Sequence, residues 1–205
     1  VTATDLLSGN MLAQMTFRDG STNFDQCAND AGTAGACSWI GSILHAPNST
    51  YYEGMSVPQR VFFQGVADGA HTVSFHYSYT KGGIHAYDFI TSENQGNGSF
   101  TPGITTFNAC QGLSGGSLTT CTTLRATAST SVPIPNDPFD SIHSPTSTTQ
   151  TAKEIAYETA FGARNIAIYK TAAASISGAS IAITHDVAAN GDTGDSDGIL
   201  TMSFT

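Results

Sequence analysis

The stretch that decides the fold runs from residue 71 to residue 88 and reads HTVSFHYSYTKGGIHAYD. From Thr72 to Tyr79, polar and apolar side chains alternate without a break. Because successive side chains of a strand point to opposite faces of a sheet, this alternation predicts a half-buried β-strand and not a helix. The pair Gly82-Gly83 admits positive φ angles, so we expect the chain to turn there.

Outward from this stretch, most of the chain alternates in the same way, and its turns are rich in Gly, Asn and Asp. The segments that we predict as strands are 11–17, 37–44, 57–66, 71–79, 86–93, 118–125, 165–169, 175–184 and 199–204. Their number and spacing predict an all-β fold, an antiparallel β-sandwich of jelly-roll or immunoglobulin-like type with long loops. At most one short helix is expected.

Asp68-Gly69 separates two of these alternating runs, 57–66 and 71–79. Asp-Gly is typical of the two-residue turns that join antiparallel neighbours. We therefore expect the two runs to form a tight hairpin within one sheet.

The helix candidate is 151–161, with Thr151 as its N-cap and Gly162 as its end. A Thr cap followed three residues later by Glu is a known start signal, and Gly is the commonest residue just past a helix end. Ile155 and Tyr157 also fit an alternating strand, so that alternative stays open.

With 205 residues and 21.3 kDa, the chain suits one domain spanning residues 1–205. Residues 129–151 contain four prolines among Ser and Thr, and we expect them to form a surface excursion and not a central strand. Charged residues make up only 11% of the sequence, against roughly 25% in an average soluble protein. Much of the surface is therefore expected to be neutral and polar.

The net charge of −9 argues against partners that are polyanions, such as nucleic acid. The sequence contains no apolar run long enough to span a bilayer, so membrane insertion is not expected. The sequence contains no H-E-x-x-H, phosphate-loop or dinucleotide-binding motif, and we do not expect an enzyme.

Four cysteines lie in two local pairs, Cys27 with Cys37 and Cys110 with Cys121. This spacing favours two local disulfides among the three possible pairings, whereas a zinc site would need closer pairs such as C-x-x-C. Disulfides, together with an opening at Val1 without methionine, predict a secreted protein that is extracellular or bound to a cell surface.

Two N-x-S/T tripeptides begin at Asn48 and Asn97 in turn-like sequence. Both are acceptor sequences for N-glycosylation. Such tripeptides also arise by chance in a chain this rich in Ser and Thr, so the alternative of unmodified asparagines stays open.

The strongest chemical signal is an acidic loop between 186 and 198. Side-chain oxygens recur there within a Gly-containing segment, and a hard cation such as Ca²⁺ prefers six to eight oxygen ligands. The loop lacks the spacing of an EF-hand, and a plain turn rich in Asp and Gly is the alternative. The predicted calcium ligands are Asp186, Asn190, Asp192, Asp195 and Asp197.

Two motifs carry a family resemblance: E-G-x-S-V-P-x-R at 53–60, and K-G-G-x-H-A-x-D at 81–88. Together they resemble a β-sandwich module of secreted and cell-surface proteins of bacteria and archaea, of the kind that builds extracellular filaments or tubes. The resemblance implies a structural module. Its polar residues in this chain are Glu53, Arg60, Lys81, His85 and Asp88. We expect Arg60 to pair with Asp88 or with Glu53 across adjacent strands.

These features predict a structural subunit of a filament, tube or other surface assembly, whose partners are copies of itself. Residues 1–8 are the candidate donor strand, and the alternating segment 199–204 is a second free end. Calcium held by the acidic loop would bridge subunits.

The alternative function is a calcium-dependent carbohydrate-binding or adhesion module whose partners are glycans. β-Sandwiches bind sugars through exposed aromatic rings. The rings that would form such a platform are Trp39, Tyr51, Tyr52 and Tyr87. Trp39 and Tyr51 also fit positions in the core or at a sheet edge.

Overall fold

The computed structural model describes residues 2–4, 11–16, 21–30, 35–52, 54–96, 104–106, 108–127, 129–137, 150–186 and 194–205. The strands within these ranges are β1 (Thr2–Thr4), β2 (Met11–Thr16), β3 (Ser21–Ala28), β4 (Gly35–Ala36), β5 (Ser38–Ile40), β6 (Gln59–Gln64), β7 (His71–Lys81), β8 (Ile84–His85), β9 (Ile104–Thr106), β10 (Ser129–Pro133), β11 (Asn165–Tyr169), β12 (Ser180–His185) and β13 (Ser196–Phe204). The helices are α1 (Gly115–Ala126), α2 (Gln150–Phe161) and a 3₁₀ turn at Glu93–Gly96.

Six strands form the main sheet, in the order β1-β2-β7-β13-β12, with β8 also paired to β7. Every pairing in this sheet is antiparallel. The first strand, β1, lies at one edge and β12 at the other, whereas β13 lies between β7 and β12. The mainly-β fold with antiparallel sheets is therefore confirmed.

The central strand β7 follows the predicted alternation as far as Tyr77, beyond which Ser78, Tyr79 and Thr80 are all buried. Val73, Tyr77 and Tyr79 are buried on the inner face of the sheet. At the end of the strand, Gly82 and Gly83 have φ angles of 58° and 76°, which turn the chain back into β8. The turn is the type that needs positive φ at both central residues, so the glycine pair is required there.

A smaller sheet of three strands has the order β5-β3-β6. Side chains from both sheets meet in one apolar cluster, in which the Phe24 ring of β3 lies 5.5 Å from the Phe75 ring of β7. Val73 and Phe204 add to this cluster from the main sheet, and Val61 adds from β6. Whether the two sheets form a complete sandwich stays a prediction.

The hairpin predicted around Asp68-Gly69 is wrong. β6 pairs with β3, and β7 pairs with β2, β13 and β8, so the two runs belong to different sheets. The turn carries the chain from one sheet to the other. Each run has its apolar face on the shared core, which satisfies the alternation without any pairing between them.

The prediction of at most one helix is also wrong, because residues 118–125, predicted as a strand, lie in α1. Helix α2 confirms the candidate at 151–161, although it begins at Gln150 and so includes Thr151. It ends at Gly162, which has φ of 92° and donates its N–H to the Glu158 carbonyl over 2.9 Å. That contact is typical of a glycine helix stop.

Both predicted disulfides are present, Cys27–Cys37 and Cys110–Cys121. Two further segments differ from expectation. The run 86–93 forms no strand, and the start of the proline-rich excursion forms β10, which pairs with β11 in a separate two-stranded sheet. Residues 138–149 of the excursion lie outside the described residues. Neither described helix is long and apolar enough to cross a membrane.

Candidate functional site

Arg60, on β6, has a different partner from the two that we expected. Its guanidinium contacts the carboxylate of Asp25, directly opposite on β3, with Nη2 and Nε each 2.9 Å from Oδ2. Both side chains are only 8% exposed. Asp88 lies elsewhere, 3.3 Å from the Lys153 ammonium, and Glu53 lies outside the described residues. The expected Arg60–Asp88 pair is therefore corrected to Arg60–Asp25.

Arg60 also ties a loop to the sheet. Its Nη1 donates to the carbonyls of Ala109 and Gln111, and its guanidinium lies 4.6 Å from the centre of the Trp39 ring. Trp39 in turn donates its indole N–H to the Asn108 carbonyl over 3.0 Å. These contacts use N–H donors of the Arg60 guanidinium and one face of the Trp39 ring. Arg60 therefore holds the loop that carries Cys110 against the three-stranded sheet.

The acidic loop separates into two groups. Asp195 accepts the Gly82 N–H at 2.7 Å and the Lys81 ammonium at 3.0 Å, and these contacts hold the pKa of its carboxyl below the usual range. Asp197 lies with Asp186, whose Oδ1 accepts the Asp197 N–H at 2.9 Å. Burial raises the pKa of Asp197, and the Asp186 charge raises it further.

An open depression of about 150 Å³ lies beside these carboxylates. It is lined by Ser78, Thr80, Lys81, Asp186, Asp195, Ser196 and Asp197. Asn190 and Asp192 lie outside the described residues. Of the five predicted calcium ligands, the structure therefore describes Asp186, Asp195 and Asp197. Within the described part of the chain, no three acidic, His or Cys side chains are grouped so that they could hold a metal ion.

The remaining residues of the motif lie on the β7–β8 hairpin. Lys81 is the last residue of β7, and His85 pairs in register with Thr80. Together with Asp88 they lie along the hairpin and the segment that follows it. The hairpin brings Lys81 to the acidic loop, a contact between residues 114 positions apart.

The four predicted platform rings differ in their exposure. Tyr52 is 71% exposed and Tyr87 is 36% exposed. Tyr51 donates its hydroxyl to the Cys27 carbonyl over 2.9 Å, and Trp39 is covered on one face by Arg60. Of the four rings, Tyr52 is therefore the most exposed, and Tyr87 is partly exposed.

The sequon asparagine Asn48 has its side-chain amide in the local backbone network. Its Nδ2 donates to the Ile43 carbonyl over 3.2 Å, and its Oδ1 accepts the His45 N–H at 2.9 Å. A glycan would be attached to the same Nδ2 atom, so its use stays a prediction. Asn97 lies outside the described residues.

Sequence reasoning missed a buried charged cluster between α2 and the main sheet. Arg164, which is 1% exposed, has its Nη1 3.0 Å from Glu154 Oε1 and its Nε 3.0 Å from Glu158 Oε1. The other carboxylate oxygen of Glu154 accepts the Asp137 N–H at 2.6 Å, and Asp137 Oδ2 lies 2.8 Å from His185 Nε2.

This cluster joins α2 to the inner face of the main sheet. His185 is on β12, and its ring meets the Tyr79 ring edge to face at 4.3 Å. Burial raises the pKa of Tyr77 well above its usual value, and the charges of Asp137 and Glu154 raise it further. A side chain at Gly198 would overlap the Tyr77 ring, which therefore lies directly against the backbone of β13. The enclosed groups give the cluster a structural role.

The first and the last strand of the main sheet differ in their contacts. β1 is paired over three positions, Thr2 with Gln14, Ala3 with Ala13 and Thr4 with Met11, and the register shifts before the last of them. β13 is paired on both sides, over nine positions with β7 and six with β12. The expectation that 199–204 is a free end is thus wrong.

Comparison of the chain with models of protein families, with curated proteins and with solved structures yields no match. The function is therefore inferred from the geometry of the chain itself.

Proposed function

We propose that this protein is a structural subunit of an extracellular assembly, and that subunits join by exchanging the first strand, β1. The observation that supports this is the place of β1 at the outer edge of the main sheet, where three residue pairs hold it among the residues that the structure describes. An edge strand is a template for pairing with another chain, and a strand held by few hydrogen bonds is replaced at low cost.

In this arrangement β1 of one subunit pairs with β2 of the next. The contact uses two different surfaces, so it is heterologous and continues into a filament unless it closes into a ring. The disulfides support a role outside the cell, because they persist in oxidising compartments. The low content of charged residues supports contacts between subunits, since interface cores are depleted in charge.

A cysteine pair at the register position Ala3–Ala13 tests the exchange directly. The Ala3→Cys/Ala13→Cys variant, oxidised as a monomer, should lock β1 onto its own β2 and stop assembly. Oxidised after assembly, the same variant should give covalent multimers on a non-reducing gel. The single variant Ala3→Cys is the matched control and should assemble normally.

Assemblies whose cross-links all join β1 to β2 of the same chain would contradict the exchange. A truncated protein that lacks residues 1–8 should give monomers by light scattering and electron microscopy. Long polymers of the truncated protein would also rule out donation by β1.

Calcium bridging is the second part of the proposal, and it rests on Asp186 and Asp197. Asp186 Oδ1 accepts the Asp197 N–H, so two acidic residues lie side by side, and carboxylate oxygens are ligands that Ca²⁺ prefers. Addition of EDTA should then loosen the assembly, and Asp197→Asn should have the same effect. Asp195→Asn is the control, because Lys81 already neutralises that carboxylate. Polymers unchanged in chelator would remove calcium from the proposal.

A carbohydrate-binding or adhesion module is the second candidate, favoured by the exposed rings of Tyr52 and Tyr87. Exposed aromatic rings stack on the apolar faces of sugars. A glycan array with the monomer tests this. Retention that is lost in Tyr52→Ala and kept in Tyr51→Phe would favour the adhesion module over the structural subunit.

A further inference from the structure

Helix α1 has a sequence that is poorly suited to a helix. Its twelve residues include four threonines and begin with Gly115-Gly116. Threonine and glycine are weak helix formers, and an isolated helix of this length is marginal even when rich in alanine. Ser114, the N-cap residue, makes no side-chain capping bond. The helix therefore depends on contacts outside itself.

Those contacts are few. Cys121 is the only residue of α1 that is buried, and Leu118 is 41% exposed. Three threonine hydroxyls donate to carbonyls four residues back in the chain, a use of the hydroxyl that does not join α1 to the rest of the protein. Helix α1 thus lacks the apolar face by which surface helices are usually held.

One end of the Cys110–Cys121 disulfide is firmly placed. The carbonyls on both sides of Cys110, those of Ala109 and Gln111, accept hydrogen bonds from the buried Arg60. The Cys110 N–H donates to Asn108 Oδ1 over 2.9 Å. The other end, Cys121, lies in the middle of α1. The disulfide therefore connects a weak helix to a rigid loop.

Among the described residues, α1 is also attached through Arg125, which forms an ion pair with Glu93. Arg125 Nη1 lies 2.7 Å from Glu93 Oε2, and the two side chains are 32% and 37% exposed. Arg125 also lies over the Tyr169 ring, at 4.5 Å. Exposed pairs of this kind contribute little to stability. The covalent bond is then the main restraint on the helix.

We propose that α1 is folded only while the Cys110–Cys121 disulfide is intact. When a dithiol or a thiol–disulfide oxidoreductase reduces this disulfide, α1 unfolds while the sheets and α2 stay folded. This device does not depend on strand exchange. A thiolate of the reductant attacks one sulfur and forms a mixed disulfide, and its second thiol releases the other cysteine. Two electrons pass to the protein, both cysteines end as thiols, and the reductant ends as a disulfide.

The other disulfide should resist this reaction. All four cysteines are buried, so exposure does not separate the two disulfides, but Cys27 and Cys37 lie in and beside paired strands of the three-stranded sheet. Exposing them requires that sheet to open. Cys121 needs only local fraying of α1, which costs far less than opening a packed sheet. The reaction is therefore expected to be selective for Cys110–Cys121.

Limited reduction of the intact protein with dithiothreitol tests this, with differential alkylation to identify the free thiols and hydrogen exchange to follow each helix. Thiols should appear first at Cys110 and Cys121. Amide protection in 115–126 should then fall on the order of 100-fold, the factor that corresponds to a disulfide closing a loop of about this length. Protection in 150–161 should not change. Earlier release of Cys27 and Cys37, or a protected α1 after reduction, would overturn the proposal.

Variants give an independent test. Replacing both Cys110 and Cys121 with serine should unfold α1 alone, whereas the same change at Cys27 and Cys37 should disturb the sheets. Thr→Ala changes at 119, 120, 122 and 123 raise helix propensity and should restore protection in the reduced protein. If the serine variant fails to fold, limited reduction of the Thr→Ala protein decides. A reduced helix that those alanines do not protect would show that propensity is not the limiting factor.

Discussion

Helices α1 and α2 have the same length, twelve residues, but they are held in the fold by different means. Helix α1 is exposed and is attached by a disulfide and a surface ion pair. Helix α2 places Glu154 in the interior, where the carboxylate meets Arg164. Few charged residues exist in this chain, and several of them lie beneath α2. A helix without a strong apolar face thus needs either a covalent or an electrostatic anchor.

The largest expected effect comes from removing the anchor of α2. Arg164→Met leaves Glu154 buried without its cation and several carbonyl contacts unmade, so we expect a loss of about 3 to 5 kcal/mol in the free energy of unfolding. Arg125→Met, the matched change beside α1, should cost at most about 1 kcal/mol because its ion pair is exposed. Urea unfolding of both variants measures the difference. Equal losses would contradict the contrast between the two helices.

The next effect is a dependence on pH that belongs to α2 alone. Burial raises the pKa of Glu154 from 4.5 to about 7, while Arg164 and the Asp137 N–H oppose the rise. A carboxyl whose pKa is higher in the folded state contributes stability fully below about pH 4.5 and loses it as the pH rises through 7. We expect a decrease of about 3 kcal/mol at most between these limits.

Urea unfolding at a series of pH values between about 5 and 8 tests this dependence. Glu154→Gln should flatten the profile, since an amide oxygen can still accept the Asp137 N–H but cannot ionise. Glu158→Gln is the control, because that side chain is 27% exposed and should leave the slope in place. A slope that persists in Glu154→Gln would assign the titration to another group.

The smallest effect has opposite signs in the two helices. Gly162→Ala places a side chain at φ of 92°, which should cost α2 about 1 kcal/mol. Gly116→Ala lies inside α1 with open space around it, so alanine should stabilise that helix by up to about 1 kcal/mol. Hydrogen exchange in each helix measures both changes. The same sign in both would show that local backbone preference does not govern these helices.

Local signals in the sequence were sufficient for several parts of the fold. Alternation from Thr72 to Tyr79 predicted β7, the pair Gly82-Gly83 predicted its turn, and cysteine spacing predicted both disulfides. Each of these depends on residues close together in the chain. The stop at Gly162 predicted the end of α2 for the same reason.

Long-range pairing could not be predicted in the same way. Strand β3 was not predicted because its sequence shows no alternation of polar and apolar residues. Five consecutive residues of the strand are buried on both of its faces: Phe24, Asp25, Gln26, Cys27 and Ala28. Without β3, the true partner of Arg60 was hidden. The same gap led to the wrong hairpin, since β6 pairs with β3 and not with β7.

The two helices show why the rest was difficult. The four threonines of 118–125 favour a strand by composition, and the disulfide that joins this segment to Cys110 is a long-range restraint that composition does not report. For α2, one signal was available but unused. Glu154 and Glu158 are four residues apart and so lie on one helix face. Two like charges at this spacing destabilise a helix unless a cation lies between them. In a chain with seven basic residues, Arg164 was a reasonable candidate.

The place of β13 between two antiparallel neighbours has a mechanical consequence. A force that pulls on the first strand peels β1 from β2 one hydrogen bond at a time, because within the described part of the chain β1 is paired with β2 alone. A force that pulls along β13 must shear two ladders at once. Under tension the first strand should therefore detach first, while β13, whose Gly198 packs against the Tyr77 ring, stays paired with both neighbours.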